Sequence, residues 1–244
     1  MRNILTIFRK EVAAFFNSLI AYIVIIVFLT GVGLFFWVFG DSVLITGISS
    51  MENLFAFAPW FFLFLVPAIT MRSFAEEIRG GTIEMLVTKP VTDWEIILGK
   101  YFAACFLIIF SLVPTFIYYL SLADLGTTPW NLDNGPIIGA YLGLIALGCV
   151  FSSVGILASS LTENQIVAFI VALFLSFFFY SGFDFLAELS SLAEYNSFFL
   201  RMGINEHYRS ISKGVVDTRD VIYFLSFIIT CLFLTRLTLA LKKK

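Results

Sequence analysis

The sequence predicts an all-α polytopic membrane protein: six transmembrane helices, an N-terminal amphipathic helix at the membrane interface, a short cytoplasmic helix between spans 2 and 3, and short external helices before span 6. Three observations carry this reading. Of 244 residues, 60% are hydrophobic, 13% are charged and 30 are phenylalanine, and mean hydropathy is +0.97. A soluble domain of this size exposes far more charge. The apolar residues fall in six continuous runs, at roughly 18–39, 54–71, 101–121, 137–161, 164–182 and 221–241. Each can cross ~30 Å of hydrocarbon at about 1.5 Å per residue. The polar residues gather instead in one long island, "RSFAEEIRGGTIEMLVTKPVTDWEIILGK", residues 72–100. The runs are continuous rather than alternating, which excludes a barrel and leaves helices as the spans.

The elements follow in chain order. In "NILTIFRKEVAAFFNSLI", Ile4, Phe8, Val12, Phe15 and Leu19 recur at three- and four-residue spacing, with Arg9 and Lys10 off that face. Residues 1–17 therefore read as a helix lying flat at the interface before the first span. Pro59, Pro67 and Pro114 sit in or beside spans, where each kinks its helix and serves as a fixed bend or a flexing point. In the island, 73–79 should extend the second span. Gly80 and Gly81 should stop it, because glycine takes the positive φ of a helix end. Thr82 then caps a short crosswise helix over 83–88, with Glu84 in its first turn, and Pro90 ends it. Thr92 and Glu95 have the spacing of a capping box that starts a helix running into the third span. Residues 183–219 form the longest external segment. Phe183, Leu186, Leu189, Leu192, Phe198 and Phe199 predict short helices dipping into the outer interface, and Asp184 and Glu188 require the fifth span to end or meet water there. The whole of 1–244 reads as one transmembrane domain.

Charge sets orientation. Six spans put both termini on one side. The termini and the 72–100 island hold eleven of the fifteen lysines and arginines, and the other face holds Arg201, Arg209, Lys213 and Arg219. The excess places the termini and the island in the cytoplasm.

Several functions are excluded. The cores of the first five spans contain no Asp, Glu, Lys, Arg or His, and Arg236 in the sixth is close enough to its end to snorkel. Ion-coupled pumps rely on such buried groups, so the energy for any transport must enter from outside the membrane. His207 is the single histidine, most simply solvated, and cannot by itself build a zinc site. Cys105, Cys149 and Cys231 lie in apolar runs as small hydrophobic filler. No phosphate-binding G-x-x-x-x-G-K-[ST] loop is present, so the chain should not hydrolyse ATP. The net charge of −2 gives no reason to expect nucleic-acid binding. Ser111, Ser152, Ser153 and Ser176 have no general base nearby in sequence and read as helix-packing residues.

The stretch "SFAEEIRGGTIEMLVTKPVTDWEIILGKYFAA" resembles the signature of type-2 ABC exporter permeases, through Gly81, Thr82, Ile83, Glu84, Leu86, Pro90, Val91, Thr92, Glu95, Ile96, Leu98, Gly99 and Lys100. Ile83 and Met85 replace commoner leucines and keep the apolar character. Four further stretches, "FAPWFFLFLVPAITMRSFAEE", "NLDNGPIIGAYLGL", "ASSLTENQIVAFI" and "FFFYSGFDFL", are similar to the gliding-motility-associated ABC permeases of Bacteroidetes.

The resemblance implies a permease subunit of an exporter in the bacterial inner membrane. ATP and Mg would be bound by a separate ATPase subunit, with no cofactor in this chain. The other partners would be lipid and either a second permease copy or a second membrane subunit with a large extracytoplasmic region. The 82–89 helix would be the coupling helix. Contacts to the ATPase are then expected from Glu76, Glu77, Gly81, Thr82, Glu84, Leu86, Lys89, Pro90 and Glu95. Phe8, Arg9, Lys10 and Glu11 would carry motion through the interfacial helix, and Asp184 and Glu188 would form an external gate. The rival class is a membrane anchor that passes ATPase-driven motion to an extracytoplasmic partner without moving a substrate. A polar lumen between paired subunits favours transport; a solid seam of Phe and Leu favours the anchor. A membrane enzyme built on Asp184 and Glu188 has no supporting motif.

Overall fold

The computed structural model describes residues 2–39, 43–47, 50–81, 91–125, 132–188 and 196–242. Every regular element among them is helical, and six helices are long and apolar enough to cross a membrane. Helix α1 (Arg2–Phe16) is followed by the first span, α2 (Leu19–Trp37), and a single turn, α3 (Val43–Thr46). The second span is α4 (Glu52–Thr70) continued by α5 (Ala75–Arg79). The third is α6 (Asp93–Leu112), a 3₁₀ turn at Val113–Thr115 and α7 (Phe116–Leu125). The fourth is α8 (Asn134–Leu161). The fifth is α9 (Gln165–Phe177), a π turn at Phe178–Gly182 and α10 (Phe183–Glu188). Two short helices, α11 (Asn196–Met202) and α12 (Ile204–Ser212), precede the sixth span, α13 (Thr218–Lys242).

Local chemistry sets where these helices begin. The carboxylate of Asp133 accepts from Gly135 N–H at 3.3 Å before α8, and the Asn164 side chain accepts from Ile166 N–H at 2.9 Å before α9. Each satisfies one donor that a helix start leaves open. Pro114 breaks the third span into its 3₁₀ turn, where the Thr115 hydroxyl donates to Leu112 O at 2.6 Å. Pro59 and Pro67 are instead accommodated inside α4.

The fourth span is the centre. It packs against α4, α6, α9, α12 and α13. Small residues permit this: a Cβ on Gly155 would lie 2.0 Å from Thr70 Oγ1, and one on Gly139 would lie 2.6 Å from the Cα of Gly214. Close approach of this kind is how helices associate where lipid removes the hydrophobic drive. Phe28, Phe62, Phe151, Leu144 and Leu147 are buried around it. Spans one, five and six lie at the periphery and keep most of their surface exposed.

The second span extends through 73–79 as expected, with a turn at 71–74 between α4 and α5. The Ser159 hydroxyl makes this break tolerable by accepting from Phe74 and Ala75 N–H, at 2.9 and 3.0 Å, and donating to Met71 O at 3.0 Å. The fifth span does not stop near 182; it continues through the π turn to Glu188. His207 is not merely solvated but half-buried and bonded. Its Nδ1 lies 2.7 Å from Asp220, its Nε2 lies 3.0 Å from Arg201 O, and its ring stacks on Tyr223 at 3.9 Å.

The segment before the last span is bound more deeply than its phenylalanines indicated. Ile204, Tyr208 and Ile211 of α12 are buried against the bundle, whereas Phe198 is exposed. The Tyr208 hydroxyl donates to Phe55 O at 2.7 Å. Leu189 and Leu192 lie outside the described residues.

Candidate functional site

The described polar residues named on α1, α5 and the start of α6 converge at the end of the bundle where the chain begins and ends. This terminal end collects α1, α5, the start of α6 and the last turns of α8 and α13. Ser160 and Thr238 hydroxyls meet there at 2.7 Å, and the Arg236 guanidinium lies over the Trp94 ring at 5.5 Å.

At its core is a charge that the sequence reading assigned to the aqueous flank. Lys100 is 3% exposed. Its ammonium donates to Glu11 Oε1 at 2.8 Å and Ser73 O at 2.6 Å, lies 3.1 Å from Glu77 Oε2, and sits 5.1 Å from the centre of the Phe74 ring. Two of the ammonium's three N–H donors are answered by hydrogen bonds, and Glu77 adds an ion pair. Glu77 uses its other oxygen, Oε1, to accept from Lys10 at 3.1 Å. One carboxylate from α5 thus bridges a lysine of α1 and a lysine of α6. Two lysines and two glutamates cancel, so Lys100 is buried among compensating charges, with Lys10 at the exposed edge. Burial by itself would lower the Lys10 pKa, but the charge of Glu77, its hydrogen bond, and the charges of Glu11 and Glu76 together raise it.

A second joint lies at the other side of residues 82–90. Thr92 and Glu95 form the expected capping box: Glu95 N–H donates to Thr92 Oγ1 at 3.4 Å, and Thr92 N–H donates to Glu95 Oε2 at 3.0 Å. Asn3 Nδ2 also donates to both Glu95 oxygens, at 3.3 Å, fastening the first turn of α1 to the first turn of α6. On the near side Gly81 takes a φ of 65°, the left-handed geometry expected of a helix stop.

The named residues therefore divide. Glu77 and Glu95, expected to face a partner, spend their carboxylates on internal bonds. Glu76 and Gly81 are exposed beside the junction. Lys10 and Glu11 belong to the junction itself, while Arg9 is exposed on α1 and Phe8 packs edge-on against Phe106 of α6 at 5.6 Å. Thr82, Glu84, Leu86, Lys89 and Pro90 lie outside the described residues. At the far end, Asp184 accepts from Asn205 Nδ2 at 2.5 Å, and Glu188 is exposed.

Sequence reasoning missed Lys100 as a buried hub, and with it Asn3 and Ser159. A lysine just before an apolar run ordinarily snorkels, and its linear neighbours "ILGKYFAA" give no sign of two carboxylates arriving from 11 and 77. In the junction the ammoniums and carboxylates are engaged with one another. Its geometry suits holding three helices at fixed relative angles on either side of one short segment.

A family described as "ABC-2 family transporter protein" matches residues 5–241. No curated protein matches the chain.

Proposed function

The chain belongs to the ABC-2 transporter family, a membrane permease component whose ATPase is a separate subunit, and from that premise we propose that it works in the export direction, gripped by its ATPase at residues 82–90. The observation that carries this reading is the pair of joints flanking that segment. On one side Glu77 ties α5 to α1 and α6; on the other the Thr92–Glu95 box and Asn3 tie α6 to α1. A push on a segment so clamped moves α1 and the ends of spans two and three together instead of being lost in loose loops.

In this reading Thr82, Glu84, Leu86, Lys89 and Pro90, with exposed Glu76 and Gly81, form the contact to the ATPase. The carboxylates suit an arginine-bearing groove. Glu77 and Glu95 act behind that contact as fasteners. Helix α1 lies at the cytoplasmic interface, with both termini on that side of a bacterial inner membrane. Asp184 and Glu188 mark the external end of the path. The further stretches that resemble gliding-motility permeases support a role for the complex in that process, with a second membrane subunit or second copy completing the pathway.

The test is Glu84→Arg in the complex co-purified with its ATPase. We expect ATP hydrolysis or recovery of the complex to fall at least several-fold; unchanged hydrolysis together with unchanged recovery overturns the assignment.

A further inference from the structure

Next to the junction, between α1, the start of α2, the end of α4 and α6, lies a cavity of about 340 Å³. One wall is apolar and includes Phe15, Ala21, Ile69 and Leu107. The other is polar and includes Ser18, Arg72 and Glu76. Its mouth is reached from outside, since Ala14, Lys10 and Glu76 on the lining are exposed.

The charges on this lining are unequally satisfied. Lys10, Lys100, Glu11 and Glu77 neutralise one another. Arg72 is left over. Among the described residues no carboxylate lies within ion-pair distance of it. Its Nη1 donates to Ser18 Oγ at 2.9 Å, and its Nε is buried with no hydrogen-bond partner. A guanidinium with unpaired, desolvated N–H donors suits a planar pair of oxygens from a carboxylate or phosphate. Burying such a donor without a partner is unfavourable.

The position selects between these. The site sits where three apolar spans meet the polar junction at their ends, the kind of position at which hydrocarbon gives way to headgroups. It joins an unpaired cation to an apolar wall that no free anion would use. We propose that this cavity binds a membrane phospholipid, its phosphate on Arg72 and Ser18 and an acyl chain along Phe15, Ala21, Ile69 and Leu107. Glu76 on the rim suits a headgroup that carries an amine. The bound lipid would fill the space between the interfacial helix and the spans at the same place where the junction holds them together. This inference does not depend on ATPase coupling or on export.

The test uses the purified full-length chain in mild detergent with phosphatidylethanolamine, read by native mass spectrometry. We expect one retained lipid per chain, and Arg72→Ala to lower its retention by roughly tenfold, as loss of a charge-assisted contact implies. Ala14→Trp, at an exposed lining position that leaves every charge in place, should also displace it, and it decides the matter if Arg72→Ala does not fold. Unchanged retention in a folded Arg72→Ala protein, or in Ala14→Trp, overturns the proposal. So does equal retention of diacylglycerol, which lacks the phosphate, or displacement of the lipid by millimolar inorganic phosphate, which would make this a free-anion site.

Discussion

Lys100 is held almost wholly out of water because it donates to Glu11 and Ser73 O and pairs with the Glu77 carboxylate, two of these groups being acids from helices distant in sequence. Replacing it by methionine strands Glu11 and Glu77. Removing one member of a buried pair costs about 3 kcal/mol, so Lys100→Met should lower the thermal unfolding midpoint of the purified protein markedly. Adding Glu77→Gln should cost less than the two single changes combined, because the stranded charge is gone. A double cycle by thermal unfolding checks this; strict additivity would show that the two groups are not coupled. Lys10 works at the edge of the same junction. Its raised pKa means that its share of stability is fully present below the ordinary lysine value of 10.5 and is lost as pH climbs through the raised value. Thermal midpoints of wild type and Lys10→Met should therefore differ at neutral pH and converge in strong alkali. At the other end, Tyr208→Phe removes one buried hydrogen bond to Phe55 O and should cost about 1 kcal/mol by the same measurement.

At the scale of helices, contact between the second and fourth spans depends on what Gly155 lacks. Any side chain there meets Thr70 Oγ1, which is held in place by donating to Val66 O at 2.9 Å. Gly155→Val should destabilise by about 2 kcal/mol through overpacking, and Thr70→Ala in the same chain should return part of the loss; no recovery would locate the clash elsewhere. Helix ends were the most readable feature of the sequence. Thr92 and Glu95 stand three residues apart and bond as that spacing requires, and Gly81 turns the chain as two adjacent glycines promised. Interruptions within spans were less readable. Pro114 announces its own break, but nothing in "SFFFYSGFDF" marks the π turn at Phe178–Gly182. That turn arises from packing, with Tyr180 buried against Trp60 and Phe151.

For the molecule as a whole, six crossings and their helical nature were legible because lipid forces long apolar runs to satisfy their own backbone. The pairing of those crossings was not, since all are apolar on every side and no stripe says which face meets which. The α12 helix carries a stripe, but a less visible one. Its Ile204, Tyr208 and Ile211 are spaced for one face, yet they are outnumbered by more apolar neighbours that face outward. The topology carries its own test. In a chain whose native cysteines are replaced, single cysteines at Lys242 and at Val216 should react with a membrane-impermeant maleimide from opposite sides; labelling from one side alone would overturn the six-span arrangement.

The π turn in the fifth span has one further effect. It accommodates one residue more than an α-helix would over the same rise, so everything past it is rotated by about 100° relative to an uninterrupted helix. That swivel is what aims Asp184 at Asn205. Were the extra residue to ripple along to a neighbouring turn, or be deleted, the tip of this span would twist like a screw and release its hold on α12.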